Sequence, residues 1–435
     1  MKKIIVSIVI GLSSMVAFAQ SSTNSPYSRF GLGTISPLST SFNRGMAGVA
    51  YGFHEQNQVN YQNPASYASV DSLTFLFDAG LGLQLTNFEE GGVKRSAQNA
   101  NFEYVVSSFR LFKHFGVSFG LLPYTNIGYN YSITANVNDS PSTSSPDVTY
   151  TNIYSGSGGL HQIYLGAGYS PLSNLSIGFN IAYLWGDLQH RIDNTYSEGS
   201  INTLSKVYNT TVRSYKADFG IQYTFPLKNK DEFTLGATSS FGHKLKGNPE
   251  CLLISTNPQT SVSDSITYRA NGELKLPHVF GAGIMYNHHN KLKMGVDYQF
   301  QKWSSLEMPQ LVGIGKERRY NMVKDLYKNR HKVSLGADYT NGDQYSKYIN
   351  RMHFRAGVSY AMPYFKINGH DGPKEFAATI GVGLPLTSGY SRYSMLNVSA
   401  EWVNQSVMGM VKENMFRINV SLTFNERWFA KFKVE

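Results

Sequence analysis

Residues 175–185 of the chain read Leu-Ser-Ile-Gly-Phe-Asn-Ile-Ala-Tyr-Leu-Trp. Every second position from Leu175 to Trp185 is large and apolar, whereas the positions between them include Ser176, Gly178 and Asn180. Because successive side chains of an extended strand point to opposite faces, this period of two predicts a β-strand with one apolar and one polar face. A strand of about 9–11 residues is long enough to cross a bilayer at a tilt. The stretch therefore predicts one strand of a transmembrane β-barrel.

The same alternation recurs along most of the chain and predicts fourteen strands. The even number fits an antiparallel outer-membrane barrel. Long connections such as 125–159 alternate with short ones such as 288–290, as extracellular loops alternate with periplasmic turns in such barrels. We therefore expect an all-β transmembrane antiparallel barrel in the outer membrane. The predicted strands cover residues 73–86, 100–112, 115–124, 160–170, 174–188, 210–226, 232–246, 277–287, 291–303, 331–340, 351–361, 375–384, 394–404 and 415–424.

The composition excludes several other classes of protein. Charged residues make up 16% of the chain, below the roughly 25% of soluble domains, and a single Cys cannot form a disulfide within the chain. The formal net charge is +10, but the basic residues are scattered, so nucleic acid is not an expected partner. The densest basic cluster is Lys316, Arg318 and Arg319, which suits either an anionic lipid or lipopolysaccharide surface or an ordinary solvated loop.

The first nineteen residues predict a signal peptide. Lys2 and Lys3 precede an apolar run over residues 4–12, and Ala17-Phe18-Ala19 forms a cleavage motif of small residues. The mature chain is then exported, and Gln20 in place of a Cys after the cleavage site argues against a lipoprotein.

Residues 20–72 do not have the pattern of a membrane strand. They contain Ser-Pro-Tyr-Ser-Arg-Phe-Gly over residues 25–31, Arg44-Gly45, and Asn63-Pro64-Ala65. A segment of this length ahead of the first strand is long enough to fill a barrel lumen. We expect four regions: a signal peptide (1–19), an N-terminal hatch (20–72), the barrel (73–424), and a periplasmic tail or the end of the last strand (425–435).

These motifs resemble the FadL/TodX family of outer-membrane channels (OMPP1), in the form found in Bacteroidota. The resemblance implies a fourteen-stranded barrel with an N-terminal hatch and passive uptake of hydrophobic small molecules such as long-chain fatty acids. Asn63 and Pro64 then either fold the hatch or take part in gating. The third strand of that family is kinked toward the membrane; here Pro123 either ends the strand or kinks it, because proline removes a hydrogen bond of the ladder.

The sequence offers no convincing catalytic set, so we expect no enzyme, no cofactor and no metal. Residues 116–120 match G-x-S-x-G, but the match lies in an alternating strand, whereas a nucleophile elbow needs a strand-to-helix turn. His288 and His289 lie in a tight turn without a carboxylate nearby in sequence, which favours a solvated turn over a metal site. Cys251 is single and lies in a long loop.

Alternation places a set of charged side chains on the inward face of the predicted barrel. Buried charges are tolerated when they are paired, so we expect an internal ionic network that holds the hatch. An acyl carboxylate could also pair with Arg355 or Lys216, and the sequence selects neither. The predicted inward charges are Asp78, Lys216, Asp218, Lys293, Asp297, Lys332, Asp338, His353, Arg355, Glu401 and Arg417.

Two functions fit these predictions. One is a FadL-type channel with a hydrophobic ligand. The other is a barrel that binds proteins, as a subunit or cargo shuttle of a larger Bacteroidota outer-membrane secretion or assembly machine. The long loops at 189–209 and 304–330 suit the second function.

Overall fold

The computed structural model describes residues 23–72, 74–137, 148–342, 347–388 and 391–427. The predicted signal peptide, Leu73 and residues 428–435 lie outside the described residues. The described residues form twenty-two strands. In chain order these are β1 (Thr34–Ile35), β2 (Thr74–Glu90), β3 (Val93–Phe112), β4 (Phe115–Pro123), β5 (Thr125–Asn136), β6 (Thr149–Leu172), β7 (Leu175–Tyr196), β8 (Thr203–Pro226), β9 (Glu232–Ser240), β10 (Glu250–Thr256) and β11 (Ser263–Arg269). They continue with β12 (His278–His288), β13 (Leu292–Lys302), β14 (Met308–Val312), β15 (Arg319–Val323), β16 (Arg330–Tyr339), β17 (His353–Ala361), β18 (Lys366–Ile367), β19 (His370–Asp371), β20 (Lys374–Ser388), β21 (Ser391–Ser406) and β22 (Lys412–Arg427).

Fourteen of these strands form a closed antiparallel ring, which confirms the predicted fold class. The ring runs β2-β3-β4-β6-β7-β8-β9-β12-β13-β16-β17-β20-β21-β22. It closes where β22 pairs with β2, from Thr74 opposite Arg427 to Glu89 opposite Lys412. Closure pairs backbone groups around the whole ring, as a lipid environment requires.

The two faces of the ring differ as the alternation predicts. Phe179 and Ile181 are about half exposed, whereas Asn180 between them is fully buried. Leu83 is 60% exposed and Asp78 on the same strand is 0% exposed. The apolar face therefore points outward to lipid and the polar face inward to the lumen, and the protein is an outer-membrane β-barrel. No helix among the described residues is long and apolar enough to cross a membrane.

The loops on the extracellular side contain more strand than the sequence predicts. β6, β7 and β8 are 24, 22 and 24 residues long, well beyond the span of a bilayer. β10 pairs with the extension of β8 and with β11, so residues 247–276, which separate two predicted strands, form largely a hairpin. Within the loop expected at 304–330, β14 pairs with β15. Arg318 and Arg319 of the basic cluster lie in this hairpin.

The helices of the described residues are short. They cover Pro26–Arg29, Ser41–Arg44, Pro64–Ser69, Lys228–Lys230, Gly315–Glu317 and Tyr348–Arg351. Three of them lie in residues 23–72, here called the N-terminal segment.

Candidate functional site: the barrel interior

The N-terminal segment contacts the inner wall on several sides of the ring. The backbone amides of Ala50 and Tyr51 donate to one carboxylate oxygen of Asp297 on β13, at 2.6 and 2.9 Å. On β7, the Asn180 amide oxygen accepts a hydrogen bond of 3.1 Å from the Tyr67 hydroxyl. Since β7 and β13 are four strands apart in the ring, contacts to both place the segment inside the lumen.

Arg44 is a central anchor of this segment. Its Nη2 atom lies 2.7 Å from Oε2 of Glu103 on β3, and Nη1 donates to Asn419 on β22 at 3.0 Å. Nε donates to the backbone oxygen of Ser39 at 3.1 Å. Gly45, the next residue, lies so close to the barrel wall that a Cβ added to it would be 3.1 Å from Cβ of Arg355. The Arg44-Gly45 pair thus combines a buried charge with a close backbone approach.

Glu103, the partner of Arg44, faces inward because of a β-bulge. Gly80 pairs with Tyr104 and Leu81 pairs with Phe102, so Glu103 is the extra residue on β3. A bulge re-aims side chains, since two residues occupy the place of one. Phe102 is 41% exposed, Tyr104 is fully buried, and the side chain of Glu103 is only 11% exposed.

The Asn63-Pro64-Ala65 motif folds a helical turn against the wall. The Asn63 side-chain oxygen accepts from the Ala65 amide at 3.1 Å, which caps the helix that Pro64 begins. The Asn63 Nδ2 atom donates to the backbone oxygen of Tyr51 at 2.7 Å. On β7, Gly178 makes room for the motif, because an added Cβ would lie 2.4 Å from the Pro64 carbonyl. These contacts fold the motif and hold it against the barrel wall.

Arg355 and Asp338 form a buried pair on neighbouring strands β17 and β16. Arg355 Nε lies 2.9 Å from the carboxylate, and both side chains are 1% exposed. His353 contacts the same carboxylate at 2.9 Å, and Arg355 Nη1 donates to Asn397 at 2.8 Å. The Arg355 guanidinium also lies 4.0 Å from the ring centre of Phe42 in the N-terminal segment. The Arg355 pair thus contacts the segment through a cation–π interaction.

The other predicted inward charges also point into the lumen, most of them beside a partner. Lys216 pairs with Asp218, which accepts a hydrogen bond from the Tyr61 hydroxyl. Lys293 pairs with Glu55 of the N-terminal segment. Arg417 lies 3.4 Å from Glu401 and donates to Gln84 at 2.8 Å. Asp78 accepts a hydrogen bond of 3.3 Å from the Tyr104 hydroxyl. Lys332 lines a cavity together with Glu375, Arg330 and Asp297.

Above this polar layer, toward the extracellular side, the lumen is filled by an apolar core. Trp303 is 1% exposed and its ring lies 4.4 Å from that of Tyr364. Tyr364 donates to the backbone oxygen of Phe30 at 3.2 Å, and Leu32 beside it is 1% exposed. The start of the N-terminal segment therefore packs directly into the loops that cover the barrel.

Two small, adjoining cavities of about 110 and 80 Å³ lie between the N-terminal segment and the wall, among the residues that the structure describes, and both are lined by Tyr51, Gln62 and Gln299. Sites for small molecules usually enclose about 300–1,000 Å³. A larger concavity of about 660 Å³ lies on the outer face, where Phe119, Ile163 and Leu165 are exposed to lipid.

The third barrel strand changes partner at Pro123. β4 pairs with β3 and β6 and ends at Pro123, opposite His161 of β6. After Tyr124, β5 continues along β6, but its first residues pair with β1 of the N-terminal segment: Thr34 lies opposite Asn126, and Ile35 opposite Thr125. The strand thus leaves β3 and joins the segment inside the barrel.

Comparison with known proteins identifies the family. The family model for BamG matches the chain over residues 1–435. The chain belongs to the BamG family. No curated protein matches this sequence at a significant level.

Solved structures of a toluene transporter, a hydrocarbon channel and a FadL homologue share the fold of this BamG-family chain. The toluene transporter TodX of P. putida is 13% identical, with a TM-score of 0.60 over 92% of this chain and 100% of its own. The monoaromatic hydrocarbon channel CymD is 15% identical, with a TM-score of 0.55 over 92% and 99%. A Pseudomonas aeruginosa FadL homologue is 13% identical, with a TM-score of 0.58 over 91% and 99%. At these identities the likeness is one of fold.

Sequence reasoning missed several residues of the BamG-family interior. The period of two does not place Glu103 inward, since the bulge interrupts it. Glu55 lies in the N-terminal segment, where no alternation indicates a direction.

Ser118 of the G-x-S-x-G match is buried, and its hydroxyl lies 2.7 Å from the Tyr164 hydroxyl, in the strand where the sequence places it.

Proposed function

We propose that this BamG-family barrel is a protein-binding subunit of a larger outer-membrane complex, and that residues 20–72 act as a hatch that keeps the lumen closed. The observation that carries the proposal is the filled lumen. The N-terminal segment bonds to β3, β7, β13 and β22, and the cavities beside it measure about 110 and 80 Å³. The name of the BamG family is consistent with a subunit of an outer-membrane complex.

The extracellular extension offers the surface for such a partner. β6, β7 and β8 continue past the membrane and carry the β10–β11 hairpin, whose outer strand β11 is exposed along most of its length. Val262 and Ile266 are exposed large apolar residues on this hairpin. The outward apolar belt contacts outer-membrane lipid, and the basic hairpin around Arg318 and Arg319 suits lipopolysaccharide.

Affinity purification from native membranes tests this function. The full-length protein with an affinity tag is expected to copurify with an outer-membrane protein in a fixed ratio. A variant in which a short Gly-Ser linker replaces residues 250–269 removes both strands of the hairpin, since the Ala270 amide already donates to the Pro249 oxygen at 2.9 Å, and it is expected to lose the partner. A monomer without a stoichiometric partner would contradict the proposal.

A second candidate function is passive uptake of hydrophobic small molecules such as long-chain fatty acids. The specific observation in its favour is the change of partner at Pro123, beside the outer concavity lined by Phe119 and Ile163. The toluene transporter TodX and the monoaromatic hydrocarbon channel CymD have the same fold. In this reading the hatch opens transiently, and Asn63 and Pro64 either hold it or gate it.

Uptake of labelled fatty acids and toluene separates the two functions. If the barrel is a channel, a deletion strain loses uptake, and the wild-type gene restores it. If the barrel is a closed subunit, uptake is unchanged in the deletion strain, and the purified protein gives no steady conductance in planar bilayers.

A further inference from the structure

Two short turns meet at the periplasmic rim of the barrel. The turn between β8 and β9 contains Asp231, and the turn between β12 and β13 contains His289. β9 and β12 are paired in the ring, and Glu232 lies directly opposite Asn287. Since Asp231 and His288 are the next residues in each direction from that pair, the antiparallel register brings them together. This proximity is invisible in the sequence, where the residues are 57 positions apart.

The donor atoms of three side chains converge at this point. The Nδ1 atom of His288 lies 3.1 Å from the Asp231 carboxylate, and the Nδ1 atom of His289 lies 3.6 Å from it. Nδ1 of His289 is 2.9 Å from Nε2 of His288. One donor atom from each of the three residues lies within 4.8 Å of the others. These two imidazole nitrogens form a hydrogen bond with each other, and a bound cation would take the place of its proton.

The backbone holds this arrangement in place. His289 and Asn290 have φ values of 53° and 57°, both positive as at the two central positions of a type I′ turn, and the Lys291 amide donates to the His288 oxygen at 2.9 Å. A histidine in the left-handed region is uncommon outside such turns. The turn directs the His289 amide at Asp231, where it donates at 3.1 Å, and the Tyr286 hydroxyl donates to the same carboxylate at 2.8 Å. The carboxylate is therefore oriented by two donors before any ion arrives.

We propose that Asp231, His288 and His289 bind one divalent transition-metal ion of the zinc class at the periplasmic rim. Imidazole and carboxylate ligands bind zinc at about 2.0–2.2 Å, so tetrahedral ligands lie about 3.3 Å apart. One donor atom of each residue lies within 4.8 Å of the other two, so small side-chain rotations bring the three donors to this spacing. Three protein ligands leave the fourth position open to water or to a side chain of a partner protein. The side chains of both histidines are more than 40% exposed, so an ion can reach them from the periplasm.

Metal titration of the purified full-length barrel tests this site. The protein carries a tag without histidine, and Zn²⁺ is titrated by calorimetry, with Co²⁺ as an optical probe. We expect one ion per chain and a Co²⁺ absorption spectrum typical of a tetrahedral site. Asp231→Asn and His289→Gln are each expected to weaken Zn²⁺ binding at least tenfold, in keeping with the loss of a ligand.

His114→Gln is the matched control. His114 lies in the β3–β4 turn at the same rim, also with a positive φ of 66°, and it is exposed. Its loss is expected to leave Zn²⁺ affinity unchanged. Melting curves without metal show whether each variant is folded, and Zn²⁺ should raise the melting temperature of the wild type but not of Asp231→Asn. Fewer than one ion per chain, or equal affinity in Asp231→Asn and His114→Gln, would overturn the site.

Discussion

The guanidinium of Arg44 lies 2.7 Å from the carboxylate of Glu103, and the two side chains are only 4% and 11% exposed. The pair joins the N-terminal segment to the wall of the barrel at a point where water is largely excluded. Removing one member of a buried pair leaves the other charge without compensation, which costs about 3–5 kcal/mol. Arg44→Ala should therefore lower the free energy of unfolding by about that amount, as measured by urea unfolding in lipid or detergent.

An exposed pair provides the control for that variant. Lys244 and Glu273 lie 4.0 Å apart with side chains 71% and 41% exposed, so Lys244→Ala should change stability by at most about 1 kcal/mol. Equal losses in Arg44→Ala and Lys244→Ala would show that the inner pair does not anchor the segment.

Gly236 on β9 lies against the N-terminal segment, so a larger residue at this position should displace the segment. A Cβ at this position would lie 1.8 Å from the backbone oxygen of Tyr51, which is too close for any contact. Gly236→Val should push the segment from the wall and destabilise the protein by about 1–3 kcal/mol. Limited proteolysis of residues 23–72 is expected to accelerate. Gly199→Ala, where no atom lies within 4 Å of the added Cβ, should behave like the wild type, and a stable Gly236→Val would contradict this packing.

The burial of Trp303 shows how tightly the extracellular mouth of the barrel is packed. Its side chain is buried against Tyr364, whereas Trp402 is 45% exposed on the lipid-facing side. Trp303→Ala should cost about 3–5 kcal/mol, because it empties a buried aromatic site. Trp402→Phe keeps an apolar ring toward lipid and should be nearly neutral. In a variant whose only tryptophan is Trp303, acrylamide should quench the tryptophan fluorescence only weakly. Strong quenching would indicate an open mouth.

We expect the thiol of Cys251 to react slowly with maleimide in the folded protein. Cys251 lies on β10 between β8 and β11, its side chain is fully buried, and burial raises the pKa of the thiol to about 11. Since the pKa is raised, the neutral thiol dominates at pH 7–8 and the reactive thiolate appears only as the pH approaches 11. Maleimide labelling of the folded protein at pH 7.5 should be slow and should become fast on unfolding. A Ser200→Cys variant in a Cys251→Ser background places a thiol at an exposed loop position and should label at once; equal rates would refute the buried thiol.

The sequence predicts the barrel well because the relevant pattern is local. Residues 175–185 alternate without interruption, and β7 covers them with the predicted faces outward and inward. The interior depends instead on register, which only the assembled sheet defines. Glu103 reaches Arg44 because one extra residue on β3 shifts the alternation, and Asp231 meets His288 because β9 and β12 are neighbours. The β10–β11 hairpin was missed for a similar reason, since β10 is held by the extension of β8.

The pairing of β22 with β2 also sets an order of events in time. Gln84 and Arg417, which meet across this seam, are 333 residues apart in the chain. Contacts of such long sequence separation form late, and until then the curved sheet has two free edges that can pair with other chains. The N-terminal segment bridges this seam, because Arg44 bonds to Glu103 on β3 and to Asn419 on β22, the two neighbours of β2. Packing of the segment therefore holds the two ends of the sheet together, and loss of the Arg44–Glu103 pair is expected to slow closure of the ring.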